Sequence, residues 1–397
     1  MSSPRVTTLR RPRIALYSHD AVGLGHIRRN IAIAGALRRL NPAPDVLLIT
    51  GTPEAAALAR PDGCDVLGLP ALTKTSTGGY GARHLSLSLG ELIGMRAEMV
   101  HSALSAFRPD LLVVDKHPRG FRGELTPTLD TLTARGATKV VLGLRDVLDE
   151  PARARREWAD NRSTEAVSRW YDQVWLYGDP RVHDLTATLR LPGSVAALAT
   201  YTGYLADRPM PEERAGGRYV LGLVGAGGDG GPLAEAFAGA AMPPGYGGVL
   251  ITGPHLPPPR RSTIRDRAAA RADLQVHDFV PDMVPWLDQA AAVVAMGGYN
   301  TVCEALVRRL PTLVVPRVRP RAEQLVRASG LAATGAVDAL HPDDLSTARV
   351  GDWLATAVRW PARDVGQVDL DGLRRLPALA EQLLHGGATC AEDEDVA

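Results

Sequence analysis

At 397 residues the chain exceeds what one hydrophobic core usually organises, so two domains are expected. The formal net charge is +1, and no Lys/Arg run is dense enough to indicate nucleic-acid binding through a bulk basic field. Cys64, Cys303 and Cys390 lack metal-type spacing and do not make an even disulfide framework, which predicts a cytoplasmic protein. No run approaches the ~20 apolar residues that span a bilayer, so no transmembrane segment is predicted and only peripheral membrane contact stays open.

The predicted elements are short β-rich runs separated by amphipathic helical segments. In chain order the runs are RIALYS, DVLLIT, DLLVVD, KVVLGLRD and QVWLYG, then YVLGLVG, GVLIT, LQVHDF, AAVVAM and TLVVP. Near-continuous apolar strands that alternate with helices predict parallel sheets covered on both faces. The fold class is therefore α/β, with two Rossmann-like domains.

A polar stretch, ADRPMPEERAGGR, lies between the two sets of strands and predicts an interdomain linker, because it has prolines, glycines and no periodicity. Near the C-terminus, LRRLPALAEQLLHG predicts a helix, and the residues after it have a disordered, acidic composition. The predicted units are a first domain at 1–205, a linker at 206–217, a second domain at 218–368, a C-terminal helix at 369–385 and a tail at 386–397.

The loop after the first strand contains Gly23, Gly25 and His26 and runs directly into a helix. A dinucleotide fingerprint requires a third glycine where Arg28 stands, so a nicotinamide site is not expected here. Imidazole titrates near neutral pH, which makes His26 the first candidate for a general base. Asp115 ends the strand LLVVD and is a candidate to orient that base. The alternatives are a helix-capping or core-edge histidine, and an aspartate that caps the turn before His117-Pro118.

A literal G-x-G-x-x-G motif, GAGGDG, follows the strand YVLGLV. A dinucleotide site also needs an Asp or Glu about 20 residues further on, at the end of the next strand. That strand, GVLITGPH, has no carboxylate near it. Gly225, Gly227 and Gly228 therefore predict a tight turn beside a ligand, and a plain turn without a ligand is the alternative.

The segment MGGYNTVCEAL, at 296–306, follows the apolar run AAAVVA and opens into a helix. Gly297 and Gly298 allow close approach of a ligand, and the unpaired N–H groups of the helix start favour an anion. The other interpretation is a T-x-x-E capping box formed by Thr301 and Glu304.

Together, D-F-V-P-D-M, G-G-x-N-T-x-x-E-A-L and P-R-x-x-x-R-x-E-Q resemble the donor half of nucleotide-sugar glycosyltransferases of the GT-B type. The likeness is greatest to the group that contains the peptidoglycan N-acetylglucosaminyltransferase. VVDKHPRGFRGEL, LGLRDVLDEP and YTGY extend it to a bacterial family of predicted glycosyltransferases, over residues 13 to 335. The resemblance implies two parallel sheets that face each other across a cleft.

The resemblance also implies roles for individual residues. Glu304, placed on the first turn of its helix, would accept hydrogen bonds from the ribose hydroxyls, and Glu323 and Gln324 would face the sugar. Residues implied at the donor are Gly225, Gly227, Gly228, Phe279, Val280, Gly297, Gly298, Asn300, Thr301, Glu304, Arg317, Glu323 and Gln324. Residues implied on the acceptor side are Gly23, Gly25, Arg28, Lys116, His117, Arg145 and Asp146, beside the catalytic pair His26 and Asp115.

The sequence thus predicts an inverting glycosyltransferase that uses a nucleotide-diphosphate sugar, a UDP-sugar above all, and a small-molecule or lipid-linked acceptor. No cofactor and no metal are predicted, because the helix start supplies fixed N–H donors for the diphosphate. The Asp-x-Asp-like candidates, at 369–371 and 393–395, lie beyond the last predicted strand. The alternatives are a nucleotide-sugar 2-epimerase of the same fold and a catalytically silent nucleotide-sugar-binding protein.

Overall fold

The computed structural model describes residues 10–19, 24–75, 79–206, 218–225 and 227–385. Gly23, nearly all of the predicted linker and the whole of the predicted acidic tail lie outside these residues. The described residues form two parallel sheets and one antiparallel hairpin.

The first sheet has the strand order β3-β2-β1-β6-β7-β8-β9, and every pairing in it is parallel. A separate hairpin, β4-β5, precedes the longest helix. The strands are β1 Arg13–Ser18, β2 Asp45–Thr50, β3 Cys64–Gly68, β4 Leu72–Lys74, β5 Tyr80–Ala82, β6 Leu111–Asp115, β7 Lys139–Arg145, β8 Gln173–Tyr177 and β9 Ala199–Tyr201.

Helices cover both faces of this sheet, which explains why β6 and β8 are apolar along most of their length. The longest helix begins at a capping box, in which Ser88 and Glu91 satisfy each other's backbone N–H groups. The helices are α1 Gly25–Leu37, α2 Leu89–Phe107, α3 Thr126–Arg135, α4 Pro151–Asp160, α5 Ser163–Trp170, α6 Leu185–Leu189 and α7 Gly193–Ala196, with 3-10 turns at Pro53–Ala57 and Phe121–Gly123.

The second sheet has the order β12-β11-β10-β13-β14-β15 and is also parallel throughout. Its strands are β10 Tyr219–Leu223, β11 Gly247–Ile251, β12 Leu274–His277, β13 Ala290–Ala295, β14 Thr312–Val314 and β15 Asp338–Ala339. Its helices are α8 Gly231–Gly239, α9 Pro258–Ala269, α10 Val284–Asp288, α11 Tyr299–Val307, α12 Glu323–Ala333 and α13 Thr347–Ala357, with a 3-10 turn at Pro342–Asp344.

Several edge elements are absent from the sequence prediction. They are β3, β9, β15 and the β4-β5 hairpin, which are short or only half-buried and therefore lack a strong apolar signature. The predicted strand LQVHDF is too long, because β12 ends at His277 and Asp278 instead pairs with Arg265 on the neighbouring helix.

The C-terminal helix, α14 at Gly372–His385, packs on α1 of the first domain. Leu373 and Leu376 belong to the same apolar cluster as Ile33 and Leu37. The segment before α14 is also tied to the first domain, because the backbone N–H of Tyr204 donates to the Asp369 carbonyl at 2.7 Å. Among the described helices, none has the length and apolar character needed to cross a membrane.

Candidate active site

Each parallel sheet has one switch point, where the chain stops adding strands on one side of the first strand and continues on its other side. In the first sheet that point lies between β1 and β6, and in the second it lies between β10 and β13. Ligands of open parallel sheets bind in the crevice outside the carboxyl ends of the strands at this switch point. His26, Asp115, Gly225 and Gly298 lie at or just beyond the carboxyl ends of these four strands, so the predicted sites on both domains lie at switch points.

His26 and Asp115 form a hydrogen-bonded pair. His26 is the second residue of α1 and Asp115 is the last residue of β6, and the contact joins His26 Nδ1 to Asp115 Oδ2. Arg29, one helical turn after His26, donates to Asp115 Oδ1 at 2.6 Å and to Oδ2 at 2.7 Å. The His26 side chain is 17% exposed whereas Asp115 is 2% exposed, so the imidazole lies at the surface of the cleft and the carboxylate lies beneath it.

The charge of Asp115 is fixed by its neighbours. Burial acts to raise the pKa of this carboxyl, but Arg29 and His26 outweigh burial and hold the pKa well below its usual range. Two groups approach His26 Nδ1: the ionised Asp115 carboxylate, which only accepts hydrogen bonds, and Arg29 Nη2 at 2.9 Å, which only donates. The carboxylate contact is the shorter of the two, so we assign the proton to Nδ1. The neutral imidazole then has its lone pair on Nε2, which is the arrangement of a general base.

Two further histidines surround the base. The ring of His19 lies 5.3 Å from that of His26 and 4.7 Å from that of His117. Burial lowers the pKa of His19, and the neighbouring His117 and His26 lower it further. Burial also lowers the pKa of His117, and Lys116 adds to this effect. Both imidazoles are therefore neutral near pH 7 and form a polar, uncharged wall on the acceptor side.

On the second domain, α11 begins without a side-chain cap. Gly298 is its N-cap residue, and neither Thr301 nor Glu304 forms the capping box that the sequence also allowed. Gly297 has a φ of 81°, and a Cβ there would lie 2.5 Å from Val314. The unpaired N–H groups of this helix start therefore stay available to an anion.

Glu304 lies in the second turn of α11, not in the first turn as expected, because the helix begins at Tyr299. Burial raises the pKa of its carboxyl, and the charges of Arg308 and Arg28 oppose that rise. The helix dipole falls off within the first turn, so it does not account for the stability of this carboxylate. The nearby arginines offset only part of the cost of burying it.

Glu323 is 5% exposed and has one oxygen that lacks a partner. Its Oε1 pairs with Arg317, whereas Oε2 is buried without a hydrogen bond in the described structure. A buried carboxylate oxygen without a partner is costly, so this atom has the capacity to accept a hydrogen bond from a ligand hydroxyl. Gln324 is already engaged, because its Oε1 accepts from the backbone N–H of Arg317 at 2.9 Å.

The glycine loop after β10 approaches the same arginine. Gly225 has a φ of 76°, and the next described residues, Gly227 and Gly228, lead to Asp229, which pairs with Arg317 at 3.5 Å. At the far side of this domain, in the loop after β12, the Phe279 ring is 48% exposed whereas Val280 is buried. An exposed aromatic ring at the carboxyl end of a strand is available to contact a nucleobase.

The two halves of the site meet directly. Asn300 Nδ2 donates to the carbonyl of Gly25 at 3.3 Å, so the start of α11 touches the start of α1. Arg28 reaches the second domain, where Nη2 donates to the carbonyl of Pro281 at 3.4 Å. Arg28, expected on the acceptor side, therefore lies between the two halves and acts on Glu304.

Asp146 is fully buried and joins the domains. Its carboxylate binds Arg327 at 2.6 and 2.7 Å and accepts from the Tyr204 hydroxyl at 2.8 Å. The acceptor role predicted for Asp146 remains a prediction, because these contacts describe a structural role.

Sequence reasoning missed Arg29 and Arg327. The signal for Arg29 is its spacing of three from His26, which places both on one helix face. No local signal identifies Arg327, whose partner Asp146 lies 181 positions away.

Among the described residues, no group of three or more His, Cys, Asp or Glu side chains is arranged to hold a metal ion. Asp369, one of the Asp-x-Asp candidates, instead pairs with Arg375 at 2.9 Å. Independence from metals stays a prediction.

Two parallel-sheet domains with facing switch points define the GT-B architecture of glycosyltransferases, and solved structures agree. The chain is similar to the calicheamicin glycosyltransferase CalG4, with 15% identity, coverage of 96% of this chain and 97% of that chain, and a TM-score of 0.57. It is also similar to MurG of Acinetobacter baumannii, with 15% identity, coverage of 94% and 100%, and a TM-score of 0.57. The predicted GT-B fold is confirmed.

Sequence comparison gives a shorter match. A curated protein of Methanosarcina acetivorans, described as an uncharacterized glycosyltransferase, is 30% identical over 99 residues, which are 25% of this chain and 24% of the relative. The match thus spans about a quarter of that relative's length. No protein-family model matches the chain. The relative and the structural neighbours are glycosyltransferases, in agreement with the predicted enzyme class.

Proposed function

We propose that this chain is a metal-independent, inverting glycosyltransferase that transfers a sugar from a nucleotide-diphosphate donor to an acceptor hydroxyl. The observation that carries the proposal is the juxtaposition of the His26–Asp115 pair with the uncapped start of α11, which touch through Asn300 and Gly25. A base and an anion site on opposite sides of one cleft are the two groups that glycosyl transfer requires.

The proposed reaction is a single displacement. The acceptor hydroxyl gives its proton to Nε2 of His26 while its oxygen forms a bond to the anomeric carbon. The bond from that carbon to the diphosphate oxygen breaks, and the bonding electrons leave with the nucleoside diphosphate. Asp115 stabilises the imidazolium that forms, and Arg29 keeps Asp115 ionised throughout. Attack from the face opposite the leaving group inverts the anomeric carbon.

The start of α11 supports departure of the diphosphate. Its backbone N–H groups and positive dipole end are fixed before the reaction, so they stabilise the developing charge without reorganising. Arg317, in the loop after the neighbouring strand β14, is held by Glu323 and Asp229.

A nucleoside diphosphate as part of the donor is supported by two structural neighbours. LpCGTa, in complex with UDP, has 17% identity and a TM-score of 0.57, and VinC, in complex with dTDP, has 16% identity and a TM-score of 0.53. The proposed donor is a UDP-sugar, with a dTDP-sugar as the second choice to test. The proposed acceptor is a small molecule or a lipid-linked compound with a free hydroxyl.

A ligand screen followed by a turnover assay tests this function. Thermal shift of the full chain with UDP-, dTDP- and GDP-sugars should identify one donor class, because a ligand that binds only the folded state raises Tm. In excess EDTA, the wild-type protein should slowly release the nucleoside diphosphate from this donor, and the His26→Ala variant should not.

Absence of binding to every nucleotide sugar would contradict the proposal, and complete loss of turnover in EDTA would contradict metal independence. Release of a 2-epimerised sugar would indicate the epimerase, and binding without turnover on an acceptor panel would indicate a silent binding protein.

A further inference from the structure

Two basic side chains in the cleft have no acidic partner of their own. Lys116 follows Asp115 directly, and Arg145 is the last residue of β7. Among the described residues, neither side chain forms an ion pair, and the Arg145 Nε atom is buried without a hydrogen-bond acceptor. Both side chains are half-buried, and charges withdrawn from water are normally paired, so two unpaired cations in one cleft call for an explanation.

The fold places these two residues side by side. Strands β6 and β7 are paired in register, with Asp115 opposite Gly143, and the backbone N–H of Lys116 donates to the Gly143 carbonyl at 2.8 Å. Arg145 lies two residues after Gly143, at the same carboxyl edge of the sheet. Lys116 also has a φ of 70°, which costs energy for a residue with a side chain and is typical of functional positions.

The nearby acids cannot neutralise the pair. The carboxylates that act on Lys116 are Asp115 and Glu157, and those that act on Arg145 are Glu323 and Asp146. Each of the four is already bonded to another arginine. Asp115 binds Arg29, and Glu157 binds Arg321. Glu323 binds Arg317, and Asp146 binds Arg327.

The region around Lys116 and Arg145 therefore carries more positive charge than the nearby carboxylates neutralise. Burial lowers the pKa of Lys116, and Arg145 and Arg321 lower it further, to about 8. Burial likewise lowers the pKa of Arg145 to about 10, and Arg29 and Arg327 contribute. The two groups repel each other and other cations, and an added anion would relieve that repulsion.

We propose that Lys116 and Arg145 form a binding site for an anionic group, a phosphate or a carboxylate, on the acceptor substrate. Both residues belong to the sheet edge that also carries Asp115 and lie beside the His26 base, whereas the proposed diphosphate site is on the other domain at the start of α11. The anion would hold the acceptor so that its hydroxyl reaches His26. This assignment rests on the proposed function, because it specifies the chemistry of that acceptor.

The test uses inorganic phosphate as the probe and the nucleoside diphosphate found in the donor screen as a blocker of the donor site. Calorimetric titration of phosphate into the nucleotide-saturated full chain should show binding. Lys116→Gln and Arg145→Gln should each weaken that binding about 10- to 100-fold, as expected when one charged hydrogen-bond partner is removed. Arg156→Gln, a matched change at an exposed arginine of α4, should leave it unchanged.

Several results would overturn the assignment. Absence of phosphate binding in the nucleotide-saturated wild type, or equal binding in all variants, would remove the site. A tenfold loss of nucleoside diphosphate affinity in Lys116→Gln and Arg145→Gln would place the pair at the donor diphosphate. Tighter binding of UDP-glucuronic acid than of UDP-glucose, abolished in both variants, would place the anion on the donor sugar. Failure of the proposed function would give a different result. No nucleotide sugar would bind, but phosphate titrated without nucleotide would still bind to Lys116 and Arg145.

Discussion

Arg327 of the second domain and Asp146 of the first form a bidentate ion pair across the domain interface. Their side chains are 1% and 0% exposed, and the two contacts measure 2.6 and 2.7 Å. Arg327 also donates from Nη1 to the carbonyl of Gly297 at 3.2 Å. The pair thus connects the carboxyl end of β7 with the glycine loop at the start of α11.

Asp146→Asn should destabilise the protein by about 3–5 kcal/mol, because it leaves the buried Arg327 without its counter-charge. Glu54→Gln, which removes an exposed pair with Arg83, should cost less than about 1 kcal/mol. The free energy of unfolding in urea measures both. Equal effects of the two substitutions would show that the interdomain pair contributes no more than a surface contact.

His26→Ala should lower kcat by about 10²–10⁴-fold and leave donor affinity nearly unchanged, because base catalysis acts in the transition state and the second domain binds the donor. The acidic limb of the kcat/KM profile should disappear in this variant. His341→Ala removes a half-exposed histidine on the second domain and serves as the control. Near-native kcat in folded His26→Ala would rule out the base assignment and direct attention to His19 or Asp115.

Glu304→Ala should weaken binding of both the donor and the free nucleoside diphosphate by about 1.5–3 kcal/mol, the size of a hydrogen bond to a charged group. Both ligands carry the ribose, so both should be affected alike. Glu98→Ala, at an exposed position of α2, provides the comparison. If calorimetry gives the same affinity for all three proteins, Glu304 does not contact the ribose.

Lys116→Met should stabilise the free protein at pH 7. The folded-state pKa of Lys116 is lowered from 10.5 to about 8, so the folded protein binds this proton less tightly than the unfolded chain does. The resulting penalty is complete below about pH 8 and disappears as the pH rises toward 10.5, and it amounts to roughly 1–3 kcal/mol. Urea unfolding of both proteins at pH 7 and pH 10 measures the difference. A stability gap that does not shrink at the higher pH would contradict the lowered pKa.

The sequence predicted the two parallel sheets because their central strands are almost wholly apolar, which is the signature of burial on both faces. The sequence also predicted that His26, Asp115 and Gly298 lie at or just after strand ends, where parallel sheets bind their ligands. Their positions follow from local patterns, namely a strand, a short loop and a helix, and local patterns are what a single sequence expresses well.

Contacts between distant segments were beyond the reach of such patterns. The pairing of Asp146 with Arg327 depends on how two domains dock, and no periodicity encodes that. The start of α11 at Tyr299, two residues before the threonine of the apparent capping box, is set by Gly298, whose lack of a side chain leaves the helix without a cap. This shift moved Glu304 from the first turn to the second.

The aromatic ring of Tyr299 lies between two arginines, 5.8 Å from the Arg29 guanidinium carbon and 5.5 Å from that of Arg327. Tyr299 belongs to the donor domain, whereas Arg29 is the residue that keeps Asp115 ionised. Movement of the donor domain away from α1 would remove this ring and admit water to Arg29, which would weaken the hold of Arg29 on Asp115. The surroundings of the base are thereby coupled to domain docking, because a ring of the donor domain covers the arginine that binds Asp115.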